Sequence, residues 1–219
     1  MMSSLGVAGM VLAGGLGRRL GGDKPLALLA GTPLAGHVLA RLRGQTSPIA
    51  VNANGDPGRL SALGAPVIAD SVGGWLGPLA GILTGLEWMA VAAPQCRWLV
   101  TVPTDTPFLP DDLVARLVAA VTAADAEIGS VRSGGRGHPV VGLWPRHLAP
   151  ALRTALVDDG IRRVGQWTGH YRVAYADWAS DPIDPFFNVN THADLAFAQQ
   201  LLEAMRGPAA PAAAARHHP

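Results

Sequence analysis

The sequence predicts an α/β domain with a mostly parallel central sheet. Strand-length apolar runs alternate with helix-length runs from the first residues onward. The first run, Gly6 to Leu12, is apolar throughout and stops at Gly14-Gly15, as a strand covered on both faces must read. The chain of 219 residues suits one large domain with its own core, with no need for disulfides or a structural metal.

After that strand, Pro33, Leu34, His37, Val38, Leu39 and Leu42 have helical spacing from Thr32 onward. Pro48 to Asn52 reads as the second strand and Ala65 to Asp70 as the third. Gly77-Pro78 opens a long apolar helix to about Ala92, because proline suits a first helical turn. Trp98 to Val102 is the fourth strand. Asp111 or Asp112 is placed to cap a helix whose face carries Leu113, Val114, Leu117, Val118 and Val121. Val140 to Trp144 predicts a strand after the glycine-rich turn at 134–137, and Leu148 to Leu156 a helix. Tyr171 to Tyr175 alternates like a strand. Thr191 and Asp194 form a capping-box pattern, opening a helix with Leu195, Ala198, Leu202 and Met205 on one stripe. The domain therefore runs over 1–206. Residues 207–219 are a Pro/Ala-rich tail with nothing to bury, expected to be disordered.

Composition excludes several classes. Hydrophobic residues make up 49% and charged residues 15%, the balance of a globular chain. A net charge of +1 argues against a nucleic-acid backbone binder. The single cysteine, Cys96, cannot close an internal disulfide. No apolar stretch approaches the roughly 20 residues of a membrane span. Arg18 and Arg19 follow the first apolar run, whereas a signal peptide carries its charges before it. A cytoplasmic protein is expected.

In open α/β sheets ligands bind beyond the C-terminal ends of the strands, so the residues just after each strand are the candidates. The first strand leads into a loop with Gly14, Gly15, Gly17, Gly21 and Gly22, then Arg18, Arg19 and Lys24, the only lysine in the chain. Glycines let backbone N–H groups approach a phosphate, and the cations neutralise it. The pattern is neither a Walker loop nor a Rossmann fingerprint. Its competing reading is a surface turn with solvated arginines. Asn52 and Asp70 end the second and third strands, and each alone also fits a turn former. Asp105 follows the fourth strand between Pro103 and Pro107, where a carboxylate can hold Mg²⁺ over a triphosphate or cap the next turn. Asn188 and Asn190 alternate in an extended segment and so share a face, either to complete a site or to satisfy buried backbone. The histidines show no metal-ligand spacing, and the six tryptophans read as core or cleft wall.

Together these segments resemble a known family. Leu12-Ala-Gly-Gly with Arg18-Arg19, Gly21-Gly22 and Asp23-Lys24 is similar to the opening signature of the molybdenum cofactor guanylyltransferases, the MobA family. Val51-Asn52-Ala-Asn, Asp70-Ser, Gly77-Pro-Leu-Ala-Gly81, Pro103-Thr-Asp105-Thr-Pro, His138-Pro139, Gly160-Ile-Arg-Arg-Val and Phe187-Asn188-Val-Asn190-Thr continue it in order to about residue 205. Two features depart from the pattern: Asp23 follows Gly22 directly, and Thr104 stands where cysteine is common.

The resemblance implies a single-domain, Rossmann-like nucleotidyltransferase fold that transfers GMP from GTP to molybdopterin with Mg²⁺ and releases pyrophosphate. It places Leu12, Ala13, Gly14, Asn52 and Asp70 at the GTP, Lys24 on its phosphates and Asp105 on the metal. Arg19, Gly22, Asn188 and Asn190 fall on the pterin-phosphate side. GTP and molybdopterin are then the small-molecule substrates, with molybdoenzyme chaperones or other cofactor-biosynthesis proteins as partners. The rivals are cytidylyl transfer to the same cofactor, a sugar-phosphate nucleotidyltransferase, and a non-catalytic GTP- or cofactor-binding chaperone. Leu12-Ala-Gly-Gly and Gly77-Pro-Leu-Ala-Gly resemble the guanylyl branch, and the presence of both Lys24 and Asp105 speaks against a chaperone without turnover.

Overall fold

The computed structural model describes residues 6–14, 20, 22–74 and 76–206. In chain order the elements are β1 (Val7–Leu12), β2 (Leu28–Leu29), β3 (Thr32–Pro33), α1 (Leu34–Arg43), β4 (Ile49–Asn52), β5 (Val67–Ile68), α2 (Pro78–Ala92), β6 (Trp98–Pro103), α3 (Leu113–Ala124), β7 (Ile128–Ser133), β8 (Arg136–Pro145), α4 (Ala149–Val157), α5 (Val164–Thr168), β9 (Val173–Trp178) and α6 (His192–Arg206). The expected tail, 207–219, lies outside the described residues.

Seven strands form one sheet in the order β5-β4-β1-β6-β8-β7-β9. β5, β4, β1 and β6 run parallel, β8 is antiparallel to both neighbours, and β9 is parallel to β7. Helices cover both faces, which is why β1 is apolar at every position. Val7 and Val11 pack with α1 and α3, whereas Ala8, Met10 and Leu12 pack with α2, α4 and α5. The buried polar group in β6 is satisfied: Thr101 Oγ1 donates to the Val140 carbonyl at 2.7 Å and accepts from Trp144 Nε1 at 2.8 Å. No described helix is long and apolar enough to cross a membrane.

Several elements differ from the sequence expectation. β5 keeps only Val67–Ile68. β7 was not foreseen, because Gly129, Ser130 and Ser133 break an apolar pattern although the strand is almost wholly buried. Gly129 lets α3 and β8 pack closely there, since a Cβ would lie 3.0–3.2 Å from Val121, Leu117 and Leu143. β8 begins at Arg136 and not at Val140, and β9 is displaced toward the C-terminus, to Val173–Trp178. The short helix α5 was also unforeseen. Neither aspartate caps α3. Gln45 Oε1 accepts the Val114 N–H at 3.0 Å instead, Asp111 pairs with Arg41, and Asp112 takes Trp178 Nε1 at 3.1 Å. On α6, Leu195, Ala198 and Leu202 pack inward, but Met205 is exposed. Trp144 and Trp167 are core residues, and Trp75 lies outside the described residues.

Candidate active site

A cleft of about 400 Å³ opens where β1, β4 and β6 end, within the size range of small-ligand sites. Leu12, Gly14, Lys24, Asn52, Asp70 and Asp105 line it, together with Asn54 and the Gly77-Pro78 start of α2. Leu12 is at the last position of β1. Gly14 is exposed, with open space where a Cβ would stand. The Ala13 side chain turns into the core, and its N–H donates to the Asn52 carbonyl at 2.8 Å. Gly22 has φ +128° and does not line the cleft; its carbonyl accepts the Lys24 N–H at 3.0 Å. Arg18 and Arg19 lie outside the described residues.

Lys24 begins a short 3-10 turn, Lys24–Leu26, with Pro25 stiffening its second position. Its side chain is 12% exposed. Lys24 Nζ donates to Asp105 Oδ2 at 2.6 Å and to Asn190 Oδ1 at 2.7 Å. Asn188 Nδ2 donates to Asp105 Oδ1 at 2.9 Å. The two amides thus converge on one ion pair, as alternation along an extended segment requires. The Val189 N–H donates to the Asp105 carbonyl at 2.8 Å, pinning that segment to the end of β6. The Asp105 carboxylate makes no backbone capping bond among the described residues, so the turn-cap reading of this residue does not hold.

Asn52 and Asp70 are also joined. Asp70 Oδ1 accepts from Asn52 Nδ2 at 2.9 Å and Oδ2 from Asn54 Nδ2 at 2.7 Å, while the Asp70 N–H donates to Asn54 Oδ1 at 2.9 Å. Asn54 is not among the residues expected at the site. The Asn-x-Asn spacing it shares with Asn188 and Asn190 was the available signal. Gly81 on α2 is expected only as the end of the Gly77–Gly81 segment that resembles the guanylyl branch. A Cβ there would stand 2.5 Å from Asn52 Oδ1 and 2.8 Å from Leu12 Cδ2, so the helix approaches two cleft residues only because position 81 is glycine.

Residues 9–173 match the model of the MobA-like NTP transferase domain. A protein of Bradyrhizobium sp. (strain ORS 278) named molybdenum cofactor guanylyltransferase is 52% identical over 196 residues, covering 89% of this chain and 92% of that one. The chain belongs to the molybdenum cofactor guanylyltransferase family. A second member, from Rhodopseudomonas palustris (strain BisB5), is 49% identical over 88% of this chain and 92% of its own. The solved structure of molybdopterin-guanine dinucleotide biosynthesis protein A from Archaeoglobus fulgidus shares the fold, with a TM-score of 0.70 and 23% identity over 90% of this chain and 100% of that one.

Local contacts shift the pKa of two groups in this family member, Asp194 and His138. The Asp194 carboxyl is held below its ordinary range, chiefly by the Asn190 backbone N–H, helped by Thr191 and the charge of Lys24. Burial lowers the His138 pKa, as does the charge of Arg136, against an upward pull from Asp184. Among the described residues no group of three or more His, Cys, Asp or Glu could cage a metal. Mg²⁺ does not require a cage, since one or two carboxylates with waters and substrate phosphates suffice. Asp105 fits that demand. Each of its oxygens accepts one hydrogen bond from the residues described above and retains a second lone pair.

Proposed function

We propose that this chain transfers GMP from GTP to the terminal phosphate of molybdopterin, releasing pyrophosphate, with Mg²⁺ as the assisting ion. The observation that carries the reading is the Lys24–Asp105 ion pair in the wall of the larger cleft, with Asn188 and Asn190 hydrogen-bonded to it. Leu12, Ala13 and Gly14 receive the guanine nucleotide, Ala13 through its backbone alone. Asn52 and Asp70 line the same site. Arg19, Gly22, Asn188 and Asn190 serve the pterin-phosphate side.

An oxygen of the acceptor phosphate forms a bond to the α-phosphorus of GTP. The bond from that phosphorus to the bridging oxygen breaks, and pyrophosphate leaves with the electron pair. Such transfers need positioning and cancellation of charge more than covalent help from the protein. Lys24 supplies a cation for the triphosphate oxygens. Mg²⁺ held at Asp105 neutralises phosphate charge when bound. No general base is required, because the attacking phosphate is already ionised. The reaction belongs to the cytoplasm in this reading, with molybdoenzyme chaperones or other cofactor-biosynthesis proteins receiving the product.

The test is pyrophosphate release from GTP in the presence of molybdopterin and Mg²⁺. Release that depends on the pterin is expected, with GTP favoured over CTP and ATP by orders of magnitude in kcat/KM, because a wrong base leaves buried polar groups unpaired. Comparable turnover with CTP moves the specificity to cytidylyl transfer. Absence of pterin-dependent release overturns the reading.

A further inference from the structure

A second cleft, of about 190 Å³, shares Pro103, Asp105 and Val140 with the first. Arg136, His138 and Asn188 complete it. None of these three lines the first cleft, so the two spaces meet at the end of β6, where Asp105 is held. Residues 136–141 of β8 line the second cleft, and β8 follows β7 in a hairpin. Ser133 and Arg136 are paired across a two-residue turn whose glycines, Gly134 and Gly135, have φ of +53° and +78°. That is the turn geometry a tight hairpin demands, and it fixes where Arg136 leaves the sheet. His138 is buried, hydrogen-bonded through Nε2 to Ser133 Oγ at 2.7 Å, with its ring centroid 5.1 Å from that of Phe186. These contacts hold His138 in the wall beside Arg136.

A transfer between two substrates needs a place for each, and the attacking and leaving oxygens must lie roughly in line through the phosphorus. The nucleotide occupies the larger space. The acceptor brings a phosphate monoester carrying roughly −1.5 to −2 charges near neutral pH. Lys24 serves the triphosphate in the transfer reading above, and it lines the larger cleft and not the smaller one. Burial lowers the His138 pKa and so disfavours a charged ring. Arg136 is the exposed cation lining the smaller cleft, and it has no ion pair among the described residues. A guanidinium presents a planar fork of donors that matches a phosphate. We propose that this second cleft, which carries Asn188 of the pterin-phosphate set, is part of the acceptor subsite and that Arg136 binds the acceptor's phosphate monoester, an assignment that rests on the guanylyl-transfer reading above.

The experiment compares the full-length wild type with Arg136→Gln and Arg136→Lys. It measures KM for molybdopterin at saturating GTP, Kd for GTP alone by calorimetry, and Tm. Arg136→Gln is expected to raise the acceptor KM roughly tenfold or more, with Arg136→Lys recovering part of the loss. GTP affinity stays within about twofold, and Tm is unmoved because the side chain is exposed. An unchanged acceptor KM in Arg136→Gln, with the wild type turning over, overturns the subsite and leaves the transfer reading standing. A matching loss of GTP affinity would assign Arg136 to the nucleotide and also overturns it. A wild type that releases no pterin-dependent pyrophosphate removes the transfer reading and the subsite together.

Discussion

Lys24 and Asp105, 81 residues apart in the chain, are joined by a 2.6 Å ion pair in the wall of the larger cleft. Their side chains are 12% and 17% exposed, so neither charge is well solvated. Removing one partner strands the other, whereas removing both does not. Lys24→Met is expected to cut turnover by about a hundredfold or more, the scale of losing one charge-stabilising contact. It also lowers Tm by a few degrees, roughly 2–4 °C per kcal/mol for a chain of this size. The double variant Lys24→Met/Asp105→Asn recovers part of that Tm. Additive losses in the melting curves would mean that the pair is not coupled.

Asp105→Asn is expected to abolish Mg²⁺-dependent transfer. The amide keeps the shape and can still accept from Asn188, but it removes the charge that a hard cation selects. The measurement is pyrophosphate release across a Mg²⁺ titration. Near-normal activity at ordinary Mg²⁺ would sink the metal assignment.

Gly81→Ala tests the close approach of α2. The added methyl would meet Asn52 Oδ1 at 2.5 Å and Leu12 Cδ2 at 2.8 Å, so something must shift. Asn52 is 4% exposed and tied to Asp70 and to the Ile68 carbonyl, which leaves it little room. GTP affinity is expected to fall roughly tenfold, the scale of 1–3 kcal/mol for overpacking. The better helix propensity of alanine offsets part of the stability cost, so Tm changes less than binding does. An unchanged Kd for GTP by calorimetry would show that the wall adapts.

The elements that could be read from the sequence were those whose burial leaves a one-dimensional trace. β1 and β6 are apolar runs covered on both faces, and α2 starts at a glycine followed by proline. Asp105 was visible because it stands just beyond such a run. β7 was hidden because its burial is satisfied by Gly129, Ser130 and Ser133, residues that usually mark turns. The cap of α3 was hidden for another reason: Gln45 reaches Val114 from 69 residues away, and no local pattern encodes that bond. The same holds for the second cleft, whose two sides come together only when β8 pairs with β6.

Asp194 offers a pH test of how the site is held. Its Oδ2 accepts the N–H of Asn190 at 2.9 Å and of Thr191 at 2.8 Å, while Thr191 Oγ1 accepts the Asp194 N–H at 3.1 Å. This reciprocal cap starts α6 and also fixes the backbone of Asn190, whose Oδ1 receives Lys24 Nζ. The contacts favour the carboxylate, so the pKa in the folded protein lies below the ordinary 3.8. Unfolding raises it, and the unfolded chain therefore binds more protons as acid is added. The contribution of Asp194 is accordingly full above its unfolded pKa, and it is lost as pH falls below 3.8 and through the folded value. Asp194→Ala is expected to cost about 0.5–2 kcal/mol at neutral pH, the usual range for a lost cap. That deficit in Tm against wild type should hold from about pH 5 to 8 and shrink below the ordinary carboxylate pKa. Turnover at neutral pH falls as well, since Asn190 no longer presents its carbonyl to Lys24 from a fixed backbone. Asp194→Asn retains one acceptor and should lose less of both. Melting curves across pH decide the matter: a deficit as large at pH 3 as at pH 7 would show that the carboxylate charge plays no part in holding Asn190.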